Sequence, residues 1–162
     1  MNRIDKETYY LDIAETVSER STCIHAQTGA LIVRNDEIVS TGYNGAPRGR
    51  SNCIELGYCV RDRLSIPRGE RYELCRGVHA EMNAVVSAAR SECIGGTLYL
   101  VGHEGVEGGL VAGLQPCPMC RKLIINAGLT KVVIRRSKTS YDIINVAEWV
   151  FNDDSMLDPN EQ

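Results

Sequence analysis

No apolar stretch in the sequence approaches the ~20 residues that a membrane-crossing helix needs, so a helical membrane protein is excluded at once. Positive charge is not in excess either. The 18 Lys and Arg stand against 21 Asp and Glu, a net charge of −3. That is the wrong sign for a surface built to coat nucleic acid or an anionic membrane. Aromatic residues are few, with one Trp and one Phe, which leaves little material for stacking single-stranded bases. The first residues, Met1 to Glu7, hold no apolar core of a secretion signal, so a reducing cytoplasm is the expected setting. No repeat, low-complexity tract or linker divides the 162 residues, and a single domain is expected over 1–162. A chain of this length buries roughly 70% of its unfolded surface and can hold a core without disulfides. Cysteine, by contrast, is plentiful. Seven of them, an odd number, in such a chain indicate metal or catalytic work rather than a disulfide framework.

Apolar periodicity gives the order of elements. Tyr10, Ile13, Ala14 and Val17 fall at i, i+3, i+4 and i+7 and predict a helix over about 5–20. Leu31 to Val33 and Ile38–Val39 flank a turn at Asn35–Asp36 and read as a β-hairpin. Residues 44–78 show no convincing period, and an irregular stretch of that length is usually functional or held by something. Met82, Val85, Val86 and Ala89 predict a helix over 79–90, followed by a strand over 97–101 and a Gly-rich excursion over 102–115. A helix from near Pro116 carries Cys120, Leu123, Ile124 and Ala127 on one stripe, with Gly128 at its C-cap. Val132 to Ile134 reads as a buried strand, and Ile143, Val146, Ala147 and Val150 as a closing helix. A hairpin followed by alternating helix and strand predicts a mixed sheet covered by helices on both faces. The acidic tail after Asn152 is expected to fray.

The chemistry lies in two blocks, His79-Ala80-Glu81 and Pro116-Cys117-Pro118-Met119-Cys120, each at a helix start. A catalytic zinc takes three protein ligands and keeps one position for water. Cys117 and Cys120, three apart, share one helical face, and the positive end of the helix dipole favours their thiolates. Both prolines are tolerated there because first-turn N–H groups have no partner inside the helix. His79 supplies the third ligand. Two thiolates and a neutral imidazole cancel the charge of Zn²⁺, leaving a neutral centre with more Lewis acidity than a four-thiolate cage. Glu81 is placed to carry protons for the water. Two plainer readings compete. A lone C-x-x-C near a strand–helix junction also fits a redox pair, and Glu81 as fourth ligand would make a purely structural clip. The combined H-x-E…P-C-x-x-C pattern, however, is the signature of zinc deaminases.

With the string Gly42-Tyr43-Asn44-Gly45-Ala46-Pro47-Arg48-Gly49 added to these blocks, the sequence resembles the deoxycytidylate (dCMP) deaminase family of the cytidine deaminase superfamily, from about Thr22 to Tyr141. The resemblance implies an α/β fold, a three-layer αβα sandwich with a five-stranded mixed sheet. It implies hydrolytic deamination of dCMP to dUMP and ammonia, control by dCTP and dTTP, and a hexamer. It places Asn44 on the substrate's sugar, the Ala80 backbone N–H on the pyrimidine carbonyl, and Tyr141 over the base. Against these stand ordinary roles, Asn44–Gly45 as turn chemistry and Tyr141 as packing. One departure is visible. Relatives commonly run from the strand into a short Thr/Ser-containing segment before the Pro-Cys, whereas here 102–115 intervenes, so part of the pocket wall is built differently.

Cys23, Cys53, Cys59 and Cys75 are left over, three of them in the irregular stretch. Four thiols suit a closed structural zinc site, which some members of the resembled family carry in this region, and His25 is a substitute for one thiol. The plainer reading makes them small core residues. Cys93 receives no function. The same stretch holds seven arginines against four acids, a reversal of the chain's overall sign that suits a phosphate-bearing ligand. The alternatives to dCMP are another small substrate such as cytidine, a modified nucleotide or guanine. Further off stand a nucleic-acid-editing zinc deaminase and an inactive assembly protein.

Overall fold

A computed structural model describes residues 2–105 and 107–152. Its frame is one sheet of five strands in the order β2-β1-β3-β4-β5, formed by β1 (Ala26–Arg34), β2 (Glu37–Tyr43), β3 (Thr97–Glu104), β4 (Lys131–Arg135) and β5 (Tyr141–Asn145). Only β3 and β4 run parallel; the other pairs are antiparallel. Side chains alternate across the sheet as the two-residue period requires. Leu98 and Leu100 of β3 enter one core with Ala30, Ile32, Val132 and Ile134, while Tyr99 and Val101 enter the other with Leu31, Val33 and Val133.

The second core lies under α1 (Lys6–Ser18), whose N-cap Asp5 accepts a hydrogen bond from the Thr8 N–H at 2.7 Å. Gly29 of β1 allows this helix to approach closely: a Cβ there would stand 2.1 Å from the Ala14 carbonyl oxygen. Arg135, almost fully buried, ties β4 to α1 through Asp12 and Glu15, and His103 of β3 meets the same Glu15 at 3.0 Å. At the β1–β2 turn Asn35 and Asp36 both take left-handed backbone, the conformation of a two-residue hairpin turn. The Tyr10 hydroxyl donates to the Asp36 carboxylate at 2.7 Å, and burial pushes the Tyr10 phenol up to about 12.

The opposite face carries α4 (Ala80–Val86), α6 (Pro118–Ala127) and α7 (Val146–Phe151), so the sheet is the middle layer of three. The intervening α5 (Arg90–Cys93) is a single turn. The helix expected over 79–90 ends at Val86, and its buried face is Ala80, Glu81 and Ala84, while Val86 is exposed. Those small alanines let α4 lie on β2 at Gly42, where a Cβ would stand 2.3 Å from the Ala80 carbonyl oxygen. The helix expected around Ile143 starts only at Val146, because 141–145 pairs with β4 as the edge strand. On α6, Cys120, Ile124 and Ala127 are buried as read, but Leu123 faces out.

The segment 44–78 is less irregular than its sequence suggested. It contains α2 (Cys53–Leu56), α3 (Val60–Arg63) and one 3₁₀ turn (Tyr72–Leu74). Asn52 caps α2 reciprocally with Glu55, and Gly57 ends it in left-handed backbone. The excursion after β3 folds back as a short bridge between His103 and Leu110. The tail expected to fray, 153–162, lies outside the described residues.

Candidate metal centre

Two helix starts meet at the site. His79 is the N-cap of α4 and Cys117 the N-cap of α6, and neither side chain caps its own helix. Both side chains therefore remain available to a ligand. Cys120 lies three residues into α6 and is fully buried. The Nδ1 atom of His79 is 3.4 Å from the sulfur of Cys117 and 3.4 Å from that of Cys120. A tetrahedral zinc with ordinary Zn–N and Zn–S bonds would separate those atoms by roughly 3.6 Å. The three residues thus already stand at metal-binding separation. Nothing distorts α4 or α6 to achieve this, since both ligand-bearing caps have ordinary extended backbone.

The three side chains shift one another's protonation. The hydrogen bond from the Cys120 thiol holds Cys117 down to about 4, against burial and with help from His79. Cys120 is pushed up in turn, because the pair shares one proton. Burial alone would push the His79 imidazole down, but its bond to Cys117 and the nearby Glu81 charge outweigh that and leave it raised. Glu81, 6% exposed, sits on the buried face of α4 beside Cys120, and burial pushes its carboxyl up. A buried acid with a raised pKa beside a metal site is the equipment of a proton carrier.

The other expected residues are placed unevenly. The Ala80 N–H is the first of α4 and has no acceptor inside the helix. Asn44 lies beyond the end of β2, and its amide is largely occupied. Its Oδ1 accepts from the Ser21 hydroxyl at 2.6 Å and the Thr28 N–H at 2.8 Å, and its Nδ2 donates to the Ala26 carbonyl at 2.7 Å. One amide hydrogen is left for a ligand. Tyr141 is not brought to the site. It pairs with Arg135 and packs into the core beneath α1, on the sheet face away from His79. Strand alternation dictates this once 141–145 is a strand. The aromatic ring beside the site is instead Tyr72, whose centroid is 5.2 Å from that of His79 with the planes at 85°. A single Tyr in an unpatterned stretch carried no signal in the sequence.

Cys23, Cys53, Cys59 and Cys75 do not close into a four-sulfur cage. No three of their sulfurs lie within 4.8 Å of one another, and Cys59 groups with His25 and Asp62 instead. His25 Nε2 stands 2.6 Å from the Asp62 carboxylate beside Cys59, so α3 lies against the start of β1. The four thiols nevertheless face a common region. Burial pushes Cys53 up, and Cys23, Cys59 and Cys75 add to the effect. Cys23 accepts the His25 N–H and Cys75 the Gly77 N–H, each at 3.4 Å. Backbone donors aimed at sulfur are a usual accompaniment of metal-bound cysteine.

Comparison with known proteins settles the family. A family model for the cytidine and deoxycytidylate deaminase zinc-binding region matches residues 4–136. The chain belongs to that family. Its metal is zinc, and His79, Cys117 and Cys120 form a candidate site for it. The deoxycytidylate deaminase of Mycobacterium phage D29 is 36% identical over 139 residues, covering 82% of this chain and 96% of the phage protein. That of Schizosaccharomyces pombe is 32% identical over 137 residues, 85% of this chain but only 38% of the yeast protein. Among solved structures, the dCMP deaminase of cyanophage S-TIM5 in complex with dCMP and dUMP aligns with a TM-score of 0.58 and 31% identity, covering 82% of this chain and 84% of that one. The fold implied by the family resemblance, with its five-stranded mixed sheet, is the fold observed.

Proposed function

We propose that this chain, acting as a single deaminase unit, hydrolyses dCMP to dUMP and ammonia. The convergence of His79, Cys117, Cys120 and buried Glu81 at two helix starts carries this reading, and the deoxycytidylate deaminase relatives support the choice of substrate. Zinc held by His79, Cys117 and Cys120 would supply Lewis acidity toward a water. Glu81 accepts a proton from the attacking water and returns protons to N3 of the ring and to the departing amine at C4. The Ala80 N–H is assigned to the pyrimidine carbonyl and the free Asn44 amide hydrogen to the sugar. Tyr141, on the far face of the sheet, has no part in binding the base.

The phosphate is assigned to the arginine-rich segment. Arg61, Arg68, Arg71 and Arg76 are engaged with the chain's own carbonyls or acids, and Arg63 lies over Tyr58. Among the described residues Arg48 and Arg50 make no side-chain hydrogen bond or ion pair. They follow Gly45, whose backbone bridges to Val78 beside His79 at 2.7 and 3.1 Å. A second, structural zinc drawn from Cys23, Cys53, Cys59 and Cys75 is part of the proposal, supported by the N–H groups aimed at Cys23 and Cys75. Control by dCTP and dTTP, a homo-oligomer of six chains and a cytoplasmic setting rest on the family likeness.

Turnover of dCMP, deoxycytidine, CMP and guanine by the zinc-loaded protein tests the reading. Charge-assisted contacts to Arg are worth about 1.5–3 kcal/mol each, so kcat/KM for dCMP should exceed that for deoxycytidine by at least ~10²-fold. Equal rates for those two, or preference for guanine, would refute the nucleotide assignment.

A further inference from the structure

His79 is held by fewer protein contacts than a metal-binding histidine ordinarily has. Such an imidazole usually donates its second ring N–H to a carboxylate or carbonyl, which fixes the plane of the ring. Here Nδ1 faces both sulfurs, the side chain makes no capping bond, and no protein group among the described residues hydrogen-bonds Nε2. The plane still has to be fixed, because rotation about the Cβ–Cγ bond swings Nδ1 away from Cys117 and Cys120. Tyr72 is packed against the ring, edge to face, at 5.2 Å between centroids. Tyr72 is itself clamped. The Arg61 guanidinium lies over its ring at 4.6 Å, and the same guanidinium donates from Nη2 to the carbonyls of Pro67 and Glu70, both at 2.7 Å. The Nε of Arg61 is buried with no hydrogen-bond partner, so hydrogen bonding alone does not account for where this cation sits.

We propose that Tyr72, clamped by Arg61, is a positioning residue for His79: its ring does the work of the missing hydrogen bond and keeps Nδ1 facing Cys117 and Cys120. The order of 61–72 thereby becomes a condition of the metal site's geometry. This inference rests on the reading of His79, Cys117 and Cys120 as the zinc ligands. The same segment supplies a control, since Arg63 lies over Tyr58 at 3.3 Å in a second Arg–Tyr stack that has no His79 ring against it.

The test is a cobalt(II) titration of the full chain, reading thiolate-to-metal absorption and the ligand-field bands in competition with a chelator. Cys120→Ala is run in parallel to subtract the signal of the other cysteines. Tyr72→Leu should weaken binding at the helix-start site roughly 10- to 100-fold and shift the ligand-field bands. Tyr72→Phe keeps the ring and should stay within about twofold of the unaltered protein, as should Tyr58→Leu. Should Tyr72→Leu fail to fold, Arg61→Gln is read the same way and should bind several-fold more weakly. Binding by the folded Tyr72→Leu or, failing that, Arg61→Gln protein within twofold of the unaltered chain overturns the proposal. An equal loss in Tyr58→Leu does so too, by showing a general loosening of the segment. If the unaltered protein takes up no more cobalt than Cys120→Ala, the metal assignment itself falls, and this inference with it.

Discussion

Cys117 and Cys120 stand on the first turn of a ten-residue helix packed on the sheet, whereas Cys53, Cys59 and Cys75 hang on a segment whose regular pieces are two four-residue helices and a 3₁₀ turn. The first pair stands at ligand separation from His79 in a frame built by the core. No three of the loop cysteines and Cys23 reach such a separation together. The charge differs in part: Cys117 is held down as a thiolate by Cys120, itself pushed up, while burial pushes Cys53 and Cys75 up toward the thiol. A site on rigid elements is organised before its metal arrives. A site on a loop has to be organised by the metal, and its binding energy then becomes folding energy.

The sharpest way to break this comparison is to remove ligands from each side. His79→Ala or Cys117→Ala should lose the helix-start zinc and lower turnover by roughly 10³-fold or more, while the melting temperature moves little. Full zinc occupancy of that site in either variant would remove the residue from the ligand set. Close packing makes the next contrast. Gly42→Ala and Gly29→Ala both drive a Cβ into helix backbone, at 2.3 Å from Ala80 and 2.1 Å from Ala14. Each should cost about 1–3 kcal/mol of stability by denaturant unfolding. Only Gly42 supports the helix that carries His79 and Glu81, so only Gly42→Ala should also lower kcat, by about tenfold. Equal activities for the two folded variants would mean that α4 is not held in register by β2.

On the loop side the expected effects reverse. Cys75→Ser should reduce zinc from two per chain to one and lower the melting temperature by roughly 5–10 °C, the shift expected for a few kcal/mol in a domain of this size. Activity should fall less than about tenfold, through the short connection from Cys75 to His79. One zinc per chain in the unaltered protein would show that packing alone orders the loop. The smallest effect is expected from exposed charge. Arg48→Ala or Arg50→Ala, each alone, should lower kcat/KM for dCMP about tenfold and leave deoxycytidine unchanged, because a charge-assisted contact to an exposed Arg lies at the low end of its range, about 1.5 kcal/mol. A parallel fall with both substrates would assign these arginines to structure.

The same contrast explains what could be read in the sequence. The helix-start site was legible because each ligand is fixed by a local rule: extended caps at His79 and Cys117, and three-residue spacing to Cys120. The α1 stripe and the hairpin turn at Asn35–Asp36 were legible for the same reason. What was missed depended on distant partners. Ile143 fits a helical stripe with Val146 and Val150, but β4 offers an open edge and pairing with it wins. That pairing then turns Tyr141 toward α1 and away from the site. The α4 face was misread because the residues that bury are small alanines, and only contact with Gly42 shows why small is required. Tyr72 and Arg61 are neighbours only after the loop has folded.

In the proposed function two helix starts hold the metal, and buried Glu81 moves the protons. Glu81→Gln separates these roles, because the amide fills the same volume but cannot accept a proton. Zinc content and dCMP turnover should be measured on one preparation of this variant. Zinc per chain and the fold should be unchanged, and turnover should fall by at least ~10³-fold. Retention of most of the activity with zinc in place would contradict the proton role of Glu81.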